Sequence, residues 1–245
     1  MIICCESYLP DSGNPYLCGD SFEPSDLIQL MDEAGVDYAL TIPAPEAPLP
    51  GWEPTDNAFL KKVTDQHPRI LGCCHVDLGL EDQAVEEFRK TVTDWGFKGL
   101  KLSTSPSETV DKLAIAAAEL RIPATIHTNG SEAIYPRISE LARNNPDLVI
   151  VMEHMGYRYH VDLALELTRK HPNIYLGSTV VASAEPIVVL DAIRKVGAER
   201  VLFGSNAPWA IPRYGVAGIR RLGLGKEEEA LILGENFQRI YGLEN

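Results

Sequence analysis

Six side chains that can act as acids, bases or metal ligands stand at the ends of separate short apolar runs. They are Glu6, His75, Lys101, His127, His154 and Asn206. Imidazole nitrogens and a carboxylate are ligands that zinc and other divalent transition metals accept. The same groups also transfer protons as general acids and bases. If the fold brings them together, the sequence predicts either a metal site or an acid–base site.

The apolar runs before these residues are short and are bounded by turn residues, as buried strands are. We predict eight strands, over Ile2–Glu6, Tyr38–Ile42, Ile70–His75, Gly99–Leu102, Ala124–Thr128, Leu148–Glu153, Ile174–Gly177 and Val201–Gly204. Amphipathic patterns between the strands predict helices over Pro24–Ala34, Ala84–Asp94, Val110–Leu120, Ile134–Asn144, Val161–His171, Pro186–Val196 and Glu227–Tyr241. This alternation is typical of a parallel sheet with crossover helices.

Eight such units in 245 residues predict an α/β fold, a single (β/α)8 TIM barrel that spans residues 1–245. Barrels of this kind have about 250 residues and carry their active sites at the carboxyl ends of the strands. A doubly wound open sheet shows the same alternation, but no G-x-G-x-x-G run follows the first predicted strand. The long stretches Leu9–Ser21 and Pro43–Pro54 follow the first two strands, and we expect them to form part of the active-site face.

The composition argues against several classes of partner and site. Acidic residues number 35 against 22 Lys and Arg, and the formal charge of -13 is unsuited to binding a nucleic-acid backbone. No apolar run approaches the roughly 20 residues that cross a bilayer, so we expect no membrane partner. The amino terminus lacks the features of a secretory signal, which predicts a cytoplasmic protein. The five cysteines include the adjacent pairs Cys4-Cys5 and Cys73-Cys74, and we expect free thiols.

The alternation of side chains along a barrel strand predicts which residues reach the interior. In the third strand, this register places Leu71, Cys73 and His75 inside the barrel and Cys74 against the helices. We expect the rings of His127 and His154 to face one another across the barrel mouth. Glu153, which is adjacent to His154, is expected to point away from the barrel axis.

Five runs of sequence occur in an order that is specific to one family. They are Gly96–Leu102, Ile122–Thr128, Val149–Gly156, Val201–Pro208 and Ile232–Tyr241. This set resembles the amidohydrolase-related proteins, which include aromatic-acid decarboxylases and lactonases. The resemblance implies a (β/α)8 barrel, a metal-assisted reaction on a small-molecule substrate, and a homodimer.

The chain departs from the family pattern at two positions. That pattern has a His-x-His pair after the first strand, where this chain has Glu6 and Tyr8, and a metal-binding aspartate where it has Asn206. Some decarboxylases of the family carry Glu at the first position. The resemblance therefore implies that Glu6, His127 and His154 hold a divalent metal, with zinc as the first choice. An amide cannot take a proton near pH 7, so Asn206 cannot deprotonate a metal-bound water as the aspartate does.

Roles for the remaining site residues follow from their chemistry. The catalytic candidates are His75, Lys101, His154 and Asn206. The substrate-binding candidates are Tyr8, Lys101, Trp209 and Arg213. Lys101 and Arg213 could pair with a substrate carboxylate. Lys101 could instead form a salt bridge with Glu6 or Asp77 inside the barrel.

These observations favour one function and leave two others open. The favoured function is an enzyme that hydrolyses a small organic acid, lactone or cyclic amide with a bound metal, or removes a carboxylate from a ring. The second is metal-free acid–base catalysis by His75, His127 and Glu6. The third is a binding subunit without activity on the same barrel. The metal content of the purified protein separates the first function from the other two.

Overall fold

The computed structural model describes residues 1–10, 22–45, 54–128 and 130–243. These residues contain an eight-stranded sheet in which β1 to β8 lie in sequence order and each neighbouring pair is parallel. The strands are β1 Ile3–Leu9, β2 Tyr38–Pro43, β3 Ile70–Cys74, β4 Gly99–Lys101, β5 Ala124–His127, β6 Ile150–Glu153, β7 Ile174–Gly177 and β8 Val201–Leu202. The order has no crossover, as the predicted barrel requires.

Backbone hydrogen bonds join β1 to the segment that follows β8. Tyr8 N donates to Ala207 O at 2.7 Å, and Asn206 N donates to Glu6 O at 3.0 Å. These contacts bring the two edges of the sheet together, and the predicted (β/α)8 barrel is confirmed. Of the two long stretches after the first strands, the structure does not describe residues 11–21 and 46–53.

Helices follow the strands along the chain, and most of them pack on the outside of the sheet. They are α1 Pro24–Ala34, α2 Asn57–Gln66, α3 Asp82–Thr93, α4 Glu108–Leu120, α5 Ile134–Asn144, α6 Val161–Lys170, α7 Val181–Ala184, α8 Pro186–Val196, α9 Pro212–Arg220, α10 Lys226–Ala230 and α11 Asn236–Tyr241. Helix α2 was not predicted from the sequence, because its buried apolar residues are only Leu60 and Val63. A π-helical turn over Leu231–Glu235 divides the predicted last helix. None of the described helices is long and apolar enough to cross a membrane.

Side chains of the strands alternate between two apolar clusters. The inner cluster lies inside the barrel, and the outer cluster lies between the sheet and the helices. The inner cluster includes Leu71 and Cys73, whereas Cys74 packs in the outer cluster between sheet and helices, so the predicted register of β3 is confirmed. Phe237 and Tyr241 of α11 also belong to the inner cluster, and their rings stack at 4.0 Å. The rings of α11 therefore help to fill the interior of the barrel.

A β-bulge in β1 changes which of its side chains face inward. The register of β1 against β2 shifts by one residue between Cys4 and Ser7. Cys5 and Tyr8 are three residues apart, yet both lie in the inner cluster. Glu6, inside the bulge, is fully buried. The four described cysteines are free thiols, as expected.

Candidate active site

A cavity of about 670 Å³ opens at the carboxyl ends of the strands. Its walls include seven of the residues predicted from the sequence. They are Tyr8, His75, Lys101, His127, His154, Asn206 and Trp209. The remaining walls are mainly apolar or aromatic, so the polar groups converge in a partly dry basin of the size that holds a small organic molecule.

Glu153, which the sequence analysis placed outside the barrel, points into the site. Its Oε2 accepts a hydrogen bond from the Lys101 ammonium, and its Oε1 accepts one from the Thr125 hydroxyl at 2.8 Å. Val149 and Val151 belong to the inner cluster, and the alternation of β6 carries Glu153 to the same side. The expected outward direction of Glu153 is therefore wrong.

Lys101 and Glu153 form a buried ion pair, with side chains that are 15% and 1% exposed. Burial alone would raise the pKa of Glu153, but the Lys101 ammonium and a hydrogen bond from His127 hold it well below its usual range. Burial alone would lower the pKa of Lys101, but the carboxylates of Glu153 and Glu6 reverse that shift and raise it. Both groups are charged at neutral pH. The partner of Lys101 is thus Glu153, and neither Glu6 nor Asp77.

A chain of hydrogen bonds links Lys101 to Glu6. Lys101 Nζ donates to the Tyr8 hydroxyl at 3.0 Å, which donates to Glu6 Oε1 at 2.9 Å. Burial and the negative charge of Glu153 raise the pKa of Glu6 to about 8, against the opposing effects of Lys101, Thr179 and Tyr8. Glu6 is therefore largely protonated at pH 7. A carboxyl group must lose its proton before it binds a metal, so the raised pKa disfavours Glu6 as the anionic ligand, and its role as a ligand stays a prediction.

The rings of His127 and His154 face one another, as predicted. Their centroids are 4.7 Å apart and their planes lie at 77°. His154 Nδ1 donates to Thr179 O at 3.3 Å, which leaves the lone pair of that ring on Nε2. Burial lowers the pKa of His154 to about 4, so the ring is neutral at pH 7. His127 Nδ1 lies 3.5 Å from Glu153 Oε2.

His154 reaches the cavity through an unusual backbone turn. It follows β6, and its φ of 60° and that of 54° at Met155 both lie in the left-handed region. Two neighbouring loops show the same feature at Val180, with φ 63°, and at Asn206, with φ 69°. A β-branched residue such as Val180 rarely adopts this conformation, and such strain concentrates at functional sites. Sequence alternation gives no signal for these turns.

Three side chains meet the distance requirements of a metal site. The ligand atoms of His127, Glu153 and His154 all lie within 4.8 Å of one another. Neutral His154 has a free nitrogen lone pair and Glu153 is ionised, so both are in the protonation states that metal binding needs. Two imidazoles and one carboxylate suit zinc and related divalent ions. These residues fit such an ion, although Lys101 competes for the same carboxylate.

The other predicted residues border this centre or lie elsewhere. The backbone of His75 is held by Asn57, which accepts from His75 N at 3.0 Å and donates to His75 O at 2.7 Å. Burial and the charge of Lys101 lower the pKa of His75. The Trp209 ring packs edge-on against Tyr8, with centroids 5.0 Å apart.

Arg213 does not reach the cavity. It lies in α9, where its Nη1 is 3.3 Å from Glu33 Oε2. The prediction that Arg213 binds substrate is corrected accordingly. The reason is that the segment after β8 turns into a helix at Pro212, which directs Arg213 towards α1.

Comparison with known proteins relates this geometry to one family. The model of the family described as Amidohydrolase matches residues 50–243. No curated protein matches the sequence. The solved structure of 2,6-dihydroxybenzoate decarboxylase from Rhizobium is similar, with a TM-score of 0.76, 17% identity, and 100% and 99% of the two chains covered.

Two further solved structures contain bound molecules. Dihydroxybenzoic acid decarboxylase from Polaromonas sp., with bound manganese and 2-nitroresorcinol, has a TM-score of 0.77 and 16% identity, with 100% of this chain and 97% of that chain covered. A probable 2-pyrone-4,6-dicarboxylic acid hydrolase from Acinetobacter baumannii, with citric acid bound, has a TM-score of 0.75 and 14% identity, with 98% and 99% covered. At these identities, the likeness shows the fold alone.

We expect Lys101→Met to lower the free energy of unfolding by about 3–5 kcal/mol, because it leaves Glu153 charged and buried without its partner. The double variant Lys101→Met/Glu153→Gln should regain much of that loss. Urea denaturation of the four proteins in this cycle measures the coupling. Lys112→Met, which removes an exposed lysine with acidic partners, should leave stability nearly unchanged. A double variant no more stable than Lys101→Met would contradict the coupling.

We expect Glu6→Gln to flatten the pH dependence of stability. The folded chain holds the Glu6 proton up to a pKa of about 8, whereas the ordinary value is 4.5. The folded state therefore binds more protons between these values, and this group makes stability fall as pH rises through that window. As pH rises through this window, the urea midpoint of Glu6→Gln should fall less than that of the wild type. Glu86→Gln, at an exposed helical position, is the control, and parallel wild-type and Glu6→Gln curves would refute the expectation.

Proposed function

The chain belongs to the amidohydrolase family, and we propose that it hydrolyses a small organic acid, lactone or cyclic amide in the cavity at the barrel mouth. One observation carries this proposal. His127 and His154 line a cavity of about 670 Å³, and both converge with the buried Glu153 beside the Lys101 ammonium. Such a cluster can bind a divalent ion, position a substrate carbonyl and move protons.

The residues that would hold the ion are His127, His154 and Glu153. When bound, a divalent ion polarises a substrate carbonyl, which stabilises the developing negative charge by several kcal/mol. Zinc is our first choice because two nitrogens and one carboxylate suit it. One of the similar structures contains manganese, so both metals belong in the test.

His75 is the proton acceptor in this arrangement. It borders the cavity, and its lowered pKa keeps the ring neutral and able to take a proton from an attacking water. An ammonium has three donors, and Lys101 gives one to Glu153 and one to Tyr8. The third can donate to a substrate oxygen. The rings of Tyr8 and Trp209 form an apolar wall against which a flat substrate can pack.

A second candidate is a metal-free acid–base enzyme. The Lys101 ammonium already bonds Glu153 Oε2, so it occupies the position that a cation needs. In this case His154 Nε2 stays unligated and acts as the base, while Lys101 stabilises negative charge on the substrate. His127 then orients the substrate through a hydrogen bond.

The proposal includes an alternative reaction and a cellular location. Decarboxylation of an aromatic acid is the alternative reaction, because it needs the same cation and proton donor beside a carboxylated ring. We also propose a cytoplasmic location, which is supported by the four free and buried thiols among the described residues.

Metal titration and turnover test the proposal together. Protein stripped with a chelator should bind about one equivalent of zinc or manganese in calorimetry. It should then consume 2-pyrone-4,6-dicarboxylate, followed by its ultraviolet absorption, or release carbon dioxide from 2,6-dihydroxybenzoate. His127→Ala should lower the affinity for the metal by more than about 100-fold, because loss of an outer-sphere partner alone lowers it by about 10–100-fold.

The control is His67→Ala, which alters a histidine at the end of α2 outside the cavity wall. This variant should bind metal and turn over substrate as the wild type does. Wild-type protein that binds neither metal in excess but still consumes a substrate would overturn the metal-assisted reaction in favour of the metal-free one. Failure to consume any lactone, cyclic amide or aromatic acid would overturn both candidates.

A further inference from the structure

Two cations of the described residues line the cavity, and of these only Lys101 has an acidic partner within ion-pair distance. Lys101 is neutralised by Glu153, as described above. Arg158 also lines the cavity, and no ion pair between described residues includes it. The hydrogen bond to Tyr157, and to a smaller extent the Glu185 carboxylate, raise the pKa of Arg158. Among the residues that the structure describes, Arg158 therefore has no acidic side chain within ion-pair distance.

Arg158 is held in place by the neighbouring tyrosine. Its Nε and Nη2 donate to the Tyr157 hydroxyl at 3.3 and 3.1 Å, and its guanidinium carbon lies 5.4 Å from the Tyr157 ring centroid. Of the five N–H donors of a guanidinium, these contacts use two. The other three include both donors on Nη1, and a planar guanidinium can present two parallel donors to a carboxylate.

Arg213 shows the same local arrangement but a different setting. Its guanidinium carbon lies 5.1 Å from the Tyr214 ring centroid, and its Nη2 donates to the Tyr214 hydroxyl at 3.4 Å. It is paired with Glu33 and lies away from the cavity wall. The two Arg–Tyr pairs thus differ in position and in the presence of an acidic partner, which makes Arg213 a natural control for Arg158.

We infer that Arg158 binds a carboxylate of the substrate at the rim of the cavity. The substrate therefore carries an anionic group that is separate from the atoms that react beside His127 and His154. A chain with a formal charge of -13 repels small anions at a distance, so it needs a local cation to retain one. This inference rests on the proposed function only in taking the cavity as the substrate site, and it holds for either metal-assisted or metal-free chemistry.

Binding of benzoate and of its neutral analogue benzamide tests the inference. Calorimetric titration of the wild type should show that benzoate binds more tightly than benzamide. Arg158→Gln should weaken benzoate binding by about 10–100-fold, the range for a hydrogen-bonded charge pair. Benzamide binding should not change. Arg158→Lys should retain part of the preference, since it keeps the charge and loses the paired donors.

Matched controls separate this result from other causes. Arg213→Gln removes the same charge and should leave both affinities unchanged. Arg158 is exposed, so the variants should fold normally, and their melting temperatures check this. The titrations are done with chelator-treated and with metal-loaded protein, so that the effect of Arg158 on benzoate binding is measured separately from metal binding. Equal benzoate affinity in wild type and Arg158→Gln, an equal loss in Arg213→Gln, or a wild type without preference for benzoate would overturn the inference.

Discussion

The ion pair between Lys101 and Glu153 is the interaction on which the mouth of the barrel depends. Lys101 ends β4 and Glu153 ends β6, and Thr125 of the intervening β5 donates to the same carboxylate. Three neighbouring strands are therefore fixed at their functional ends by one buried group. Removing either charge would leave the other without compensation in a dry environment. The pair also sets the protonation of its neighbours, because the charge of Glu153 favours the neutral form of Glu6.

The ion pair between Lys101 and Glu153 explains both the fixed positions of the site residues and their chemistry. A buried carboxylate that is already ionised can serve as a metal ligand without first losing a proton. The adjacent ammonium competes with a metal for that carboxylate, and it can also replace the metal as a source of positive charge. The two mechanisms differ in which cation stabilises the substrate. In both, the Glu153 carboxylate neutralises Lys101, whereas Arg158, at the rim, forms no ion pair with another described residue.

The fold and the convergence of side chains could be predicted from the sequence because both depend on simple periodicity. Alternating strands and helices predict the barrel, and strand ends predict that His75, Lys101 and His127 meet. The direction of Glu153 was predicted wrongly because the inward position at the end of β6 was assigned to His154. Alternation from Val149 and Val151 points Glu153 inward, and His154 reaches the cavity only through a left-handed turn. The bulge in β1, which buries Glu6 beside Tyr8, is likewise a local departure from regular pairing.

The most direct test of the account is the anomalous diffraction of crystals soaked in manganese. The account predicts one strong peak within coordination distance of His127, His154 and Glu153, with the Lys101 ammonium displaced from the carboxylate oxygen that it now shares. An ion bound instead by Glu6 or Asn206 would contradict the assignment of ligands. A crystal that binds no ion while Lys101 remains on Glu153 would show that the ammonium is the cation of this site.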